Sequence, residues 1–162
     1  MFAAHFAAGL ALKGRAPRAP LSALIMGAFV LDGLWIVLSV LRIDRTDYDD
    51  WSHSLVMSLL WASLFSLLFW RLGRKAMTVL WLAVFSHFIL DLVVQGGSVC
   101  PPGLLSVGPL VVTHYRLLQL GICAVLLSVY VVDARRQSIT WPRVLATCAI
   151  VLALNGRFVL GV

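Results

Sequence analysis

The stretch LSALIMGAFVLDGLWIVLSVL, from Leu21 to Leu41, carries one ionisable side chain, Asp32, and a run so long and so apolar has few places to fold. At about 1.5 Å per residue it reaches across a hydrocarbon core roughly 30 Å thick. Further stretches of the same character lie at about 54–70, 76–95 and 107–132, and a weaker one at 144–162 is interrupted by Asn155, Gly156 and Arg157. Their separators are punctuation: Pro17 and Pro20 before Leu21, RLGRK after Trp70, the turn-rich GGSVCPPG, and Trp141-Pro142. This pattern predicts an all-α integral membrane protein, a bundle of four to five transmembrane helices forming one domain over residues 1–162.

Met1 to Leu12 is also apolar, but as a helix it extends only about 18 Å. It is expected to be a short re-entrant or partly inserted helix. A cleaved signal peptide would want positive charge ahead of the apolar run, whereas Lys13, Arg15 and Arg18 follow it, so the segment is read as retained.

Composition agrees with this class: of 162 residues 61% are hydrophobic and 12% charged, and the mean hydropathy is +0.96. The net charge of +6 does not point to nucleic acid, because the basic residues sit in short clusters between apolar runs. Lys13/Arg15/Arg18, Arg71/Arg74/Lys75 and Arg135/Arg136/Arg143 fall on one side by the positive-inside rule, which makes these basic loops cytoplasmic. The loop RIDRTDYDDW and the Gly/Pro loop near Cys100 then face outward, as does the C-terminus if the fifth span forms. Cys100, Cys123 and Cys148 form no C-x-x-C pair and read as packing residues.

Against this apolar background Asp32, His87 and Asp91 are expensive, at roughly 2.5 to 3.5 kcal/mol for a charged side chain near the bilayer centre. Asp32 lies about 14 Å below the outer end of its span and Asp91 about 6 Å below Gln95. His87 is four residues from Asp91 and so on the same helix face. His53 follows Asp50 and Trp51 at the mouth of the next span, which puts it in the same outer half of the membrane. His5 joins them if its segment inserts to about mid-membrane.

Imidazole and carboxylate are good ligands for zinc and similar divalent ions, and catalytic zinc sites keep three protein ligands with one open position. Hydrogen bonding between helices, or a proton path, explains such residues equally well on spacing alone. Glutamate is absent, so carboxylate chemistry falls to the seven acidic residues, all aspartate. Asp44, Asp47, Asp49 and Asp50 lack the spacing and central glycine of an EF-hand and read as a solvated acidic face. His114 and Arg116 read as interfacial anchors rather than the rim of a pocket, and Trp51, Trp70 and Trp141 as an aromatic belt.

AHFAAGLALK around His5, LDGLW around Asp32, WSHSL around His53 and SHFILD around His87 and Asp91 occur in that order on successive apolar segments. In this the chain resembles the YdjM-like family of small bacterial inner-membrane proteins, described as membrane-bound metal-dependent hydrolases, from Met1 to about Gly97. The resemblance implies that His5, Asp32, His53, His87 and Asp91 are the metal-site positions, and that the protein resides in the bacterial inner membrane. Many members read Pro-Asp-x-Asp at the second element, where this chain has Leu31-Asp32-Gly33-Leu34. One carboxylate fewer favours a single ion over two.

The expected function is therefore a membrane-embedded hydrolase holding one divalent metal ion, zinc by its ligand types, through His53, His87 and one or both of Asp32 and Asp91. An aspartate free of the ion, Asp32 or Asp91, would be the catalytic base, and the substrate an ester or phosphoester, lipid-linked if the site opens to the bilayer. The alternative is a non-catalytic subunit packing against a larger membrane complex, with the polar cluster as structural glue. A proton-conducting or transport role is the third reading.

Overall fold

The computed structural model describes the backbone of residues 2–41, 48–94, 96–100, 104–107, 115–137 and 139–160. The expected acidic run at Asp44 and Asp47 and the expected anchor His114 lie outside the described residues, as do the side chains of Asp49, Asp50 and Arg116. The helices are α1 (Phe2–Leu12), α2 (Leu21–Leu41), α3 (Tyr48–His53), α4 (Leu55–Leu67), α5 (Arg74–Val94), α6 (Tyr115–Arg136) and α7 (Trp141–Leu160). Single 3-10 turns at Lys13–Arg15 and Trp70–Leu72 link α1 to α2 and α4 to α5. Three helical stretches, Leu21–Leu41, Arg74–Val94 and Leu118–Arg136, are long and apolar enough to cross a membrane.

Two of the expected spans are corrected. The stretch expected at 54–70 is a helix of only 13 residues, Leu55–Leu67, about 20 Å long and short of a roughly 30 Å core. Ser54 sets its start: the residue is extended, and its hydroxyl accepts from the Met57 amide, an N-cap that separates α4 from α3. Of the stretch expected at 107–132, Val107 belongs to a strand instead, the last residue of Leu104–Val107 (β2), which pairs antiparallel with Gly97–Cys100 (β1), and 108–114 lie outside the described residues. Gly96, at φ 84°, takes the left-handed turn that lets the chain leave α5 for β1. The helix that follows starts at Tyr115 and runs on to Arg136, where two arginines suit the negative end of its dipole. In α7, Pro142 sits in the first turn, where its missing N–H does no harm, and the helix continues through Asn155, Gly156 and Arg157 without a break.

α1 is the short helix at the middle of the packing, against α2, α5, α6 and α7. Its sequence explains how: Ala4, Ala7, Ala8 and Ala11 are all buried, and small side chains let neighbouring backbones come close. At Gly9 the approach is closest, for a Cβ there would lie 3.0 Å from the Leu24 carbonyl oxygen of α2. α4 uses the same device against α5, with Ser54, Ser58, Ala62 and Ser66 spaced four apart and all buried. On α2 the buried stripe is Ala23, Leu24, Gly27, Ala28 and Leu31, and on α5 it is Ala76, Val79, Leu80, Ala83, Val84, His87 and Phe88. His87 therefore lies on the core-facing stripe of its helix, not beside it.

The basic segments gather at one end of the bundle. Ala16 and Ala19, beside Lys13 to Arg18, pack in one cluster with Ala76 and Leu72, beside Arg71 to Lys75. Arg15 pairs at 3.8 Å with Asp133 of α6, which brings Arg135 and Arg136 to the same end. Cys123 and Cys148 pack in or against the α1–α6–α7 cluster, as packing residues should.

Replacing Gly9 by Ala should push α1 off α2, because the atom in the way is a backbone carbonyl that cannot swing aside; a loss of about 1–3 kcal/mol is expected. Gly27→Ala should cost less, since its nearest neighbour, 3.1 Å away, is the movable edge of the Phe65 ring. Thermal unfolding in detergent checks the order. A Gly9→Ala protein as stable as wild type would mean that α1 does not pack this closely.

Candidate metal centre

Each site residue is placed by ordinary helix logic. His87 and Asp91 are one turn apart on α5, the first fully buried and the second nearly so. Asp32 lies one turn beyond Ala28 on α2, His53 ends α3, and His5 is in the buried first half of α1. The structure brings all of these together, including His5.

The His87 ring is fixed by a contact the sequence does not advertise. Its Nδ1 lies 2.6 Å from the carbonyl oxygen of Ala28, and a carbonyl can only accept, so Nδ1 carries the proton. In the neutral ring Nε2 then presents a lone pair. Facing it are Asp91 Oδ2 at 3.0 Å, His53 Nε2 at 3.2 Å and Asp32 Oδ1 at 3.5 Å. His53 Nε2 is in turn 3.5 Å from Asp32 Oδ1 and 3.9 Å from Asp91 Oδ2, while its Nδ1 is 2.7 Å from the buried Ser52 hydroxyl. His87 Nε2 and the two carboxylate oxygens are acceptors, and His53 Nε2 joins them in the tautomer whose Nδ1–H donates to Ser52; such a set repels itself unless a proton or a cation sits among them.

The spacing discriminates further. In a tetrahedral centre with bonds of about 2.0–2.1 Å the donor atoms stand about 3.3–3.4 Å apart. Asp32 Oδ1, His53 Nε2 and His87 Nε2 form a near-equilateral triangle with edges of 3.2, 3.5 and 3.5 Å. Asp91 Oδ2, at 3.0 and 3.9 Å from the two imidazoles, stands off this face to one side.

Two groups of side chains could hold a metal ion, Asp32 with His53 and His87, and His5 with His87 and Asp91. They share His87, whose single free lone pair lets only one be used at a time. The His5 and His87 rings are close and tilted, with centroids 3.7 Å apart and planes inclined by 33°. His5 Nε2 stands 3.3 Å from Asp91 Oδ1 without the alignment of a hydrogen bond, and neither nitrogen of this buried ring has a hydrogen-bond partner among the described residues.

Access is uneven. Asp32 has the most exposed side chain of the cluster, at 32%, against 20% for His53 and 13% for Asp91. The cluster thus opens on the α2 side, where Trp35 and Ile36, one turn along from Asp32, are exposed apolar residues.

The sequence marks the five clustered residues but not two supports behind them, the Ala28 carbonyl and the Ser52 hydroxyl. The repeated Ser-His dipeptide hinted at the second, yet only Ser52 acts on its histidine; the Ser86 hydroxyl donates to Ala83 O within its own helix. Comparison with protein-family models, with curated proteins and with solved structures finds no match.

The hydrogen bond to Ala28 predicts that His87 is the Nδ1–H tautomer whenever its ring is neutral, a state that ring 15N chemical shifts of labelled protein report directly. An Nε2–H signal for His87 would contradict the arrangement described.

Proposed function

We propose that this chain is a membrane-embedded metal-dependent hydrolase of the YdjM-like kind, holding one divalent ion between Asp32, His53 and His87. The observation that carries the reading is the triangle of two imidazole nitrogens and a carboxylate oxygen with edges of 3.2 to 3.5 Å, spaced as the face of a tetrahedral zinc centre. A divalent ion held there supplies Lewis-acid activation of water and of a carbonyl or phosphoryl oxygen.

The chain's own groups do the rest. Ser52 and the Ala28 carbonyl orient the two imidazoles from behind, the usual task of hydrogen-bond partners on the far ring nitrogen. Asp91 Oδ2, beside the triangle but off its face, accepts the proton of the attacking water, whose oxygen bonds to the ester carbon or phosphorus. The proton then leaves with the departing alkoxide, and water has been added across the bond. His5, against Asp91 Oδ1, holds that carboxylate in position.

The substrate we infer is an ester or phosphoester on a lipid or lipid-linked molecule. Trp35 and Ile36 support this, because they place exposed apolar surface one turn from the most open ligand. Residence in the bacterial inner membrane, with the basic end of the bundle in the cytoplasm, completes the proposal and follows the positive-inside rule.

A second reading, a non-catalytic subunit of a larger membrane complex, draws on one specific observation. With Asp91 Oδ2 included, four protein atoms could close the centre, as in structural zinc sites.

Three variants test the assignment. Purified protein should carry about one divalent ion per chain by elemental analysis, and His87→Ala and Asp32→Asn should lose it. Asp91→Asn should keep the ion and lose about 10²–10⁴-fold in hydrolysis of long-chain p-nitrophenyl esters or phosphodiesters. An ion lost with Asp91→Asn, in a protein that hydrolyses neither probe, would favour the closed structural site; no ion in wild type would remove the basis of both readings.

Ser52→Ala should weaken metal affinity about 10- to 100-fold in a chelator competition, because His53 loses the group that orients it. Unchanged affinity would mean that another contact orients this ring.

A further inference from the structure

Away from the metal centre, at the basic end of the bundle, a cavity of about 470 Å³ opens between the end of α1, the start of α2, and the facing parts of α6 and α7. Its lining is Lys13, Arg143, Tyr130 and Thr147 together with apolar Leu21, Ile139 and Ala146. Among the described residues two cations and no carboxylate face it. The nearest acid along α6, Asp133, is engaged by Arg15 at 3.8 Å and is packed against the backbone of Gly14.

Lys13 is held ready by the loop it caps. Its ammonium donates to the carbonyls of Pro17 at 2.9 Å and Ala19 at 2.6 Å, which uses two of three N–H bonds and leaves one for a ligand. The buried Tyr130 adds a phenol to the wall, and the Thr147 hydroxyl, whose hydrogen goes to Arg143 O, adds an acceptor. Across Ile139 lies a second cavity of about 360 Å³, but its cation, Arg135, is stacked on the Trp141 ring with 4.9 Å to the centroid. The Lys13 and Arg143 pair is therefore the better anion site of the two.

We propose that this cavity binds the phosphate headgroup of an anionic phospholipid, with the acyl chains lying along the apolar surface of α7. Three features argue for a lipid over a soluble phosphate. The cavity has an apolar wall in Leu21, Ile139 and Ala146; exposed Ile150 lies one turn along α7 from Ala146 and Thr147; and the cavity sits at the positively charged end of helices long enough to span a bilayer. Its volume is within the usual range of about 300–1,000 Å³ for ligand sites.

The test is native mass spectrometry of the full chain released from detergent micelles titrated with phosphatidylglycerol, with phosphatidylcholine, or with inorganic phosphate. One phosphatidylglycerol should be retained in preference to phosphatidylcholine. Arg143→Gln should lower its affinity about fivefold, and the Lys13→Gln/Arg143→Gln pair about 25-fold, the effect expected for removing one and two membrane-surface cations. Arg71→Gln, at the same end but outside the cavity, should leave it unchanged. Lys13→Gln also removes the caps on Pro17 and Ala19, so Arg143→Gln alone decides if the pair fails to fold: its substitution leaves the backbone bonds of residue 143 in place. Equal retention of both lipids, an Arg143→Gln protein that binds like wild type, or displacement by millimolar phosphate would each overturn the proposal.

Discussion

The hydrogen bond from His87 Nδ1 to the Ala28 carbonyl links the packing of this protein to its chemistry. It joins the buried stripes of α2 and α5 at the level where both turn polar, and it decides which nitrogen of His87 faces the cluster. A helical carbonyl already serves its own i+4 amide, so it can take a second donor only through its other lone pair, and only if the partner helix is close. Small residues provide that closeness: Gly27 lies 3.1 Å from the Phe65 edge and 3.4 Å from the Ala83 side chain by its notional Cβ. The small-residue interfaces and the ring orientation are thus one design.

A buried set of two carboxylates and three imidazoles is costly in any apolar interior, and mutual pairing offsets the cost only when the geometry is good and the remaining polar atoms are satisfied. Here satisfaction is incomplete. His5 has no hydrogen-bond partner among the described residues, and the acceptor atoms of Asp32 and Asp91 both face the lone pair of His87 Nε2. Structural glue would be expected to alternate donors with acceptors across the helix interface. Two carboxylate oxygens meeting the His87 lone pair is what a cation-binding centre needs, and it is the reason the metal reading is preferred to an interhelical polar clasp.

The apolar runs and the ligand types were legible in the sequence because each is a local property. Leu21–Leu41 reads as a spanning helix from its own residues, and the four-residue step from His87 to Asp91 needs only helix periodicity. What could not be read depended on partners distant in sequence. The start of the stretch at 54–70 agrees with the Ser54 N-cap, but its end does not: Leu68, Phe69 and Trp70 are as apolar as the helix before them, and nothing local marks the stop at Leu67. The pairing of Gly97–Cys100 with Leu104–Val107 is set by two strands meeting, not by either one. For His5 the unknown was depth, and the alanine face of α1 settles it by burying the helix among α2, α5, α6 and α7.

The position of α1 also bears on why so small a chain can build a polar centre. Helices long enough to span have one face for neighbours and another for their surroundings, and α2, α5 and α6 keep exposed apolar residues such as Val40, Ile89 and Val125 on the outside. A helix of 11 residues has no such obligation. Because α1 is short and almost wholly surrounded, its histidine can meet α5 from inside the bundle, while Lys13 at its end turns to cap the loop into α2. Eight residues separate His5 from Lys13, about 12 Å along a helix, so α1 couples the polar centre to the basic end within a single rigid element. The close approach of α1 to α2 at Gly9 lies midway between them.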